Sequence, residues 1–177
     1  MKKNNFVFMT AAIAALMAGV ATFTACDKDD DKKEEKKEQK DAIPQGYVDL
    51  GLESGTLWKD QNESGQDFYT YEEAVAQFGD KLPTKAQLEE LKESCQWEWI
   101  GSGCKVTGPN GNSITLPAAG VRSCAGATNL VGSCGNYWSS TPNGSNEVWS
   151  LLFNSSEVSM HSSYQCVGNS VWLIYHE

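Results

Sequence analysis

The side chains able to do chemistry in this chain are few, and they are scattered. From Ala42 onward there are five cysteines (Cys95, Cys104, Cys124, Cys134 and Cys166), two histidines (His161 and His176) and one arginine, Arg122. None of the cysteine spacings is C-x-x-C and the histidines come late, so no metal ligand set is expected. A working thiolate needs a cationic neighbourhood, and only Arg122 lies near a cysteine in sequence. A hydroxyl or thiol nucleophile would also need a histidine base, which this chain supplies poorly. Glu147 and Glu157 are a nominal carboxylate pair, better explained as exposed strand ends. Calcium needs clustered oxygen ligands, and past residue 100 the acids are only Glu147, Glu157 and Glu177. Neither an enzyme nor a cofactor is expected.

The N-terminus reads as an address. Lys2 and Lys3 precede a mostly apolar run from Phe6 to Ala25, a secretory signal over residues 1–25. A run of about 20 residues could also span a bilayer as a retained helix. Phe23-Thr24-Ala25-Cys26 resembles a lipobox, with Phe23 where leucine is usual and Cys26 as the lipidated residue. Several acyl chains on one residue give stable membrane attachment. Residues 27–41 hold 8 acids, 6 lysines and no apolar side chain, so residues 26–42 are expected to be a solvated tether. The Cys-Asp-Lys-Asp-Asp-Asp opening is similar to the acidic signal that sends lipoproteins of Bacteroides-type bacteria to the cell exterior. The expectation is an outer-membrane lipoprotein facing outward, with the membrane as its partner through Cys26.

Residues 43–177 then form one domain, long enough to bury roughly two-thirds of its unfolded surface. It carries 15 acidic and 6 basic side chains. With no basic patch, nucleic acid is excluded as a partner. Export permits disulfides. Sequence proximity suggests Cys95–Cys104 and Cys124–Cys134, with Cys166 left over.

Two capping boxes locate helices: Thr70 with Glu73, and Thr84 with Gln87. Tyr71, Ala74, Val75 and Phe78 make the apolar face of the first helix, and Gly79 ends it. Leu88, Leu91 and Cys95 line the second, which delivers Trp97 and Trp99 on an alternating segment as core anchors. Short strands are expected at Tyr47–Leu52 and Thr56–Trp58. Asn110-Gly111 between β-branched runs predicts a hairpin of Lys105–Thr107 with Ser113–Leu116. Tyr137–Thr141, Glu147–Asn154, Glu157–His161 and Val171–Tyr175 complete the strands. Glu147–Asn154 is apolar on both faces and so should be central. The order is α+β, with two helices on a mostly antiparallel sheet.

Several of these segments together resemble the Fibrobacter succinogenes major paralogous domain family. They are Tyr47-Val48-Asp49-Leu50-Gly51-Leu52, Ser54-Gly55-Thr56-Leu57-Trp58, Leu82-Pro83-Thr84, Cys95 with Trp97-x-Trp99, and Lys105-Val106-Thr107-Gly108 through Gly111-Asn112-Ser113-Ile114. Leu116-Pro117-Ala118-Ala119-Gly120, Tyr137-Trp138-Ser139-Ser140-Thr141, Phe153-Asn154-Ser155 and Gly168-x-Ser170-Val171 follow. The matches are collinear and cover nearly all of residues 46–173. The resemblance implies a C-type-lectin-like fold, with the first and last strands, Val48–Leu52 and Val171–Tyr175, paired. Gln165 and Trp172 stand where the family usually has arginines, which puts a shared anionic site in doubt. Cys104, Cys124, Cys134 and Cys166 are additions that suggest extra staples.

That fold hosts many recognition proteins, so the expected function is a cell-surface binding module for a glycan or a protein. The candidate contacts are Tyr137, Asn143, Asn146, Trp149, His161, Tyr164 and Gln165. One alternative is a structural part of an envelope or adhesion assembly with no small ligand. A remoter one is a cysteine enzyme resembling the formylglycine-generating enzymes, for which Cys124 and Cys134 are the nearest imitation of the required pair.

Overall fold

The computed structural model describes residues 42–62 and 68–176. The signal segment, Cys26 and the tether up to residue 41 lie outside them. The described residues fall in one compact unit, Lys40–Glu177. Among them no helix is long and apolar enough to cross a membrane.

The architecture is α+β. β1 (Tyr47–Asp49), β2 (Leu57–Lys59) and β11 (Ile174–Tyr175) form a small antiparallel sheet. α1 (Tyr71–Phe78) and α2 (Lys85–Ser94) follow, joined by a short 3-10 turn. β3 (Gln96–Trp99), β4 (Gly103–Thr107) and β5 (Ser113–Pro117) form a second sheet with β4 in the middle. β6 (Val121–Arg122) and β7 (Thr128–Asn129) are a short ribbon. β8 (Cys134–Pro142), β9 (Glu147–Asn154) and β10 (Val158–Tyr164) make the largest sheet, again antiparallel, with β9 central as its two apolar faces required.

Both helices start where the sequence places them. The Thr70 hydroxyl accepts from the Glu73 N–H while the Glu73 carboxylate accepts from the Thr70 N–H, and Thr84 and Gln87 repeat the exchange. The Thr70 backbone N–H, then its hydroxyl, hold the Glu73 carboxyl below its usual range, with the Arg122 guanidinium adding to the effect. Each cap satisfies donors that a helix start leaves orphaned and contributes about 1 kcal/mol. Gly79 ends α1 at a φ of 53°. On α1, Ala74 and Phe78 are buried, but Val75 is 41% exposed and not part of the apolar face.

The two faces of β9 feed two cores. Leu151 and Phe153 pack in one cluster with Leu88 and Leu91 of α2, Tyr137, and β4 and β5 residues such as Val106 and Leu116. Val148 belongs to the other, with Ala74 and Phe78 of α1, Trp138, Val171 and Leu173. Gly135 lies opposite Phe153 in the ladder, and a Cβ there would run into the Phe153 ring. The missing side chain is what lets Phe153 stack on Tyr137, with centroids 5.8 Å apart.

Two expectations are corrected here. The terminal strands share a sheet, but β1 does not pair with β11; β2 lies between them, with Trp58 opposite both Val48 and Ile174. β1 and β2 are already a hairpin, so the last strand finds its free edge on β2, and Trp58 is fully buried there. Trp97 and Trp99 are only half-buried, because β3 is an edge strand whose tryptophan face is partly covered.

The disulfide is Cys124–Cys166, with Cα atoms 5.0 Å apart, and not either expected pair. Its origin is a register. Arg122 and Gly168 exchange two backbone hydrogen bonds as an antiparallel pair, of 2.9 and 2.7 Å. Two residues on from Arg122 and two back from Gly168, Cys124 faces Cys166. Cys95 cannot reach Cys104. In the β3–β4 ladder Cys104 sits opposite Trp99, so Cys95 lies about 13 Å away along the strand, beyond disulfide reach. Cys134 is committed to β8 opposite Asn154.

Candidate functional site

The β8–β9 turn and the end of β10 form one rim of the large sheet. Asn143, Gly144, Ser145 and Asn146 make the turn, with Gly144 at a φ of 82°. The Asn143 N–H donates to the Glu147 carbonyl at 2.8 Å, and the Gln165 N–H donates to the Asn146 carbonyl at 3.0 Å. The loop is thus tied at both ends.

A side-chain relay runs across this rim. The Asn143 amide donates to the Ser162 hydroxyl at 2.9 Å, and that hydroxyl donates to the Glu147 carboxylate at 2.5 Å. Ser162 lies opposite Trp149 in the ladder and Tyr164 opposite Glu147. All four alternate onto the same face of the hairpin. Trp149 is half-buried, with the Lys85 ammonium 4.0 Å from its ring centroid. The start of α2 holds that lysine in place. Its backbone N–H donates to the Thr141 hydroxyl at 2.9 Å, and its ammonium pairs with Glu89 at 3.2 Å. Tyr164 is 60% exposed.

The seven expected contact residues therefore divide. Asn143, Trp149 and Tyr164 come together on one face. Asn146 and Gln165 shape the neighbouring loop, where the Gln165 amide also reaches the Ser145 carbonyl at 3.4 Å. Tyr137 is a correction: it is fully buried, its hydroxyl donates to the Pro117 carbonyl at 2.7 Å, and it packs on Phe153 and Trp172. It lies on the covered stretch of β8, not at the rim. His161 is exposed but pairs with Ser150, one step out of phase with Ser162, so it points to the opposite face. Lys85 and Ser162 escaped the sequence reading, and Glu147, read there as an exposed strand end, proves to be the acceptor of the Ser162 hydroxyl. Lys85 looks like an ordinary helix lysine, and only the packing of α2 on the sheet brings it over Trp149.

A second concave feature lies at the opposite end of the hairpin. The β9–β10 turn, Asn154 to Glu157, meets Trp97 and Trp99 of β3 around a cavity of about 230 Å³.

Among the described residues no group of three or more His, Cys, Asp or Glu could hold a metal. Cys124 is oxidised and Cys134 is buried and unpaired, so they do not form the pair that the cysteine-enzyme alternative needs. The three thiols unpaired among the described residues are held toward the protonated form. Burial, with the Glu90 charge adding to it, pushes Cys95 up to about 11. Burial also raises Cys104 and Cys134. Iodoacetamide at pH 7.5 is therefore expected to label all three far more slowly than after denaturation, because the thiolate is the reacting form. Peptide mapping reads each site. Rapid native labelling of half-buried Cys95 would contradict the assignment.

No family model, no curated protein and no solved structure matches the chain.

Proposed function

We propose that the chain is an exported, outward-facing outer-membrane lipoprotein whose C-type-lectin-like domain is a recognition module for a glycan or a protein. Membership of the Fibrobacter succinogenes major paralogous domain family is part of this reading. It is supported by the collinear motifs and by where they fall: Leu82-Pro83 leads into α2, Gly108 to Gly111 turns β4 into β5, and Tyr137–Thr141 lies within β8.

One observation carries the binding role. Trp149 and Tyr164 flank the Asn143–Ser162–Glu147 relay on one face of the β9–β10 pair. Aromatic surface with oriented amide, hydroxyl and carboxylate groups is how recognition sites combine affinity with orientation. The aromatics contribute contact area at low entropic cost.

The full chain in detergent, applied to glycan and protein arrays, tests this. Binding is expected, and Trp149→Ala and Tyr164→Ala should each weaken it about tenfold or more. Silence on both array types would overturn it in favour of a structural part in an envelope assembly. Binding indifferent to both substitutions would overturn this location. Protease shaving of intact cells, followed by an antibody to the domain, tests the outward address: loss of signal supports it, and survival places the domain in the periplasm.

A further inference from the structure

The geometry points to a second binding site, in the groove between β3 and the β9–β10 turn, which takes a single neutral hexopyranose ring of a glycan. This site goes beyond the rim site and uses none of its residues.

The groove has an apolar floor and a polar lip. Trp97 and Trp99 are neighbours on one face of β3, and Cys104 of β4 lies opposite Trp99 on the same face. Trp97 is fixed twice, by its indole N–H donating to the Leu91 carbonyl at 3.4 Å and by its ring packing on Phe153 at 5.7 Å. Trp99 is half-buried, and its indole N–H makes no hydrogen bond among the described residues.

The lip is preorganised. The Asn154 side-chain carbonyl accepts from the Ser156 N–H at 2.8 Å, the Ser156 hydroxyl at 2.7 Å and the Glu157 N–H at 3.1 Å. The Asn154 N–H donates to the Glu157 carbonyl at 3.0 Å. This bonding closes the turn locally and leaves the Glu157 carboxylate at the groove, held among the described residues by a 3.5 Å contact from the Asn154 amide.

Size, shape and charge choose the ligand. At about 230 Å³ the space falls below the roughly 300 Å³ at which clefts for drug-sized ligands begin, and suits one ring. A pyranose presents an apolar C–H face to stack on an indole and a rim of hydroxyls to meet the Trp99 N–H, Ser156 and Glu157. The charge lining is one-sided. Glu157 faces the groove, whereas Lys105 alternates with Cys104 and pairs with Glu98 on the other face of the β3–β4 ribbon. With a carboxylate and no cation among the described residues that line the groove, an anionic sugar is disfavoured and a neutral one is accepted.

The test uses the full chain in detergent with methyl glycosides of glucose, galactose and mannose, N-acetylglucosamine, and glucuronic acid as the anionic comparison. Saturation-transfer NMR and calorimetry provide the readouts. At least one neutral sugar is expected to bind with a Kd of about 1 mM, and glucuronic acid more weakly. Trp99→Ala should weaken that binding about tenfold or more. Glu157→Gln, a near-isosteric change in an exposed turn, should weaken it severalfold and narrow the gap to glucuronic acid. No binding by any neutral sugar overturns the proposal. So does binding that survives both substitutions. Binding that survives them but falls with Trp149→Ala moves the sugar to the rim and supports that site instead.

Discussion

Replacing Cys124 and Cys166 together with serine should lower stability by about 4 kcal/mol. The bridge spans 42 residues, and closing a loop of that length in the unfolded chain removes entropy worth about that much. For a domain of this size the melting temperature should fall by about 10–15 °C. The bridge also has local work to do. It ties the β6–β7 ribbon to the segment that runs on to Asn169 and Ser170, and the loop that follows the ribbon is largely exposed. Leu130 and Val131 are 59% and 65% exposed. Without the bridge the Arg122–Gly168 backbone pair and the Arg122–Glu73 contact at 3.5 Å remain. Exposed ion pairs are worth little. Proteolysis between residues 123 and 133 should therefore accelerate by more than the global loss accounts for. Cys166→Ser alone should match the double variant, because Cys124 has no other partner. Reductant added to the unaltered protein should reproduce the shift. A melting change below about 3 °C would contradict the prediction. So would non-reducing peptide maps that return Cys95–Cys104 or Cys124–Cys134.

That bridge also shows which parts of the fold the sequence could announce. The capping boxes at Thr70 and Thr84 are complete within four residues, so their helices are legible as written. The β4–β5 hairpin needs only Gly111 at a φ of 87° in its loop. The central place of β9 is written in its two apolar faces. Long-range register is not written locally. Nothing near Cys124 announces Gly168, whose pairing with Arg122 selects Cys166. Alternation told which side Trp97 and Trp99 share, but the depth of their burial depends on β3 being an edge. The candidate site divides the same way. Trp149, Asn143 and Tyr164 are aromatic or amide residues near a turn, which is a local signal. Tyr137 carries the same local signal, yet its stretch of β8 is covered by Phe153 and Trp172. The Trp97–Trp99 groove needs β3 and the β9–β10 turn in one place, although they lie far apart in the chain.

Trp138→Ala is expected to cost about 3–5 kcal/mol. Trp138 is fully buried on the α1 side of β8. Its ring meets Tyr71 edge-on at 5.8 Å, and Ala74, Phe78, Val148 and Leu173 share its cluster. Truncation removes the largest side chain holding α1 to the sheet and leaves a cavity that the short α1 cannot close without sliding. The hydrogen-bond loss is smaller. The indole N–H donates to the Tyr69 carbonyl at 2.8 Å, but that carbonyl also accepts from the Asn169 N–H at 3.1 Å and is not orphaned. Trp138→Phe should therefore cost about 1–2 kcal/mol, since it keeps most of the ring and gives up one of two bonds. The gap between the two variants, measured by urea unfolding with an unchanged slope, separates packing from hydrogen bonding. Equal losses would show that the hydrogen bond dominates and would overturn the packing account. The effect should also travel toward the rim. β8 shifts register between Trp138 and Pro142, and the irregular stretch presents Thr141 to the Lys85 N–H. Loosening Trp138 loosens the start of α2, and with it the lysine that sits over Trp149. Amide exchange in Trp138→Ala should consequently quicken at Lys85 as well as along α1, while the β4–β5 hairpin, whose Val106, Ile114 and Leu116 pack in the other cluster, keeps its protection.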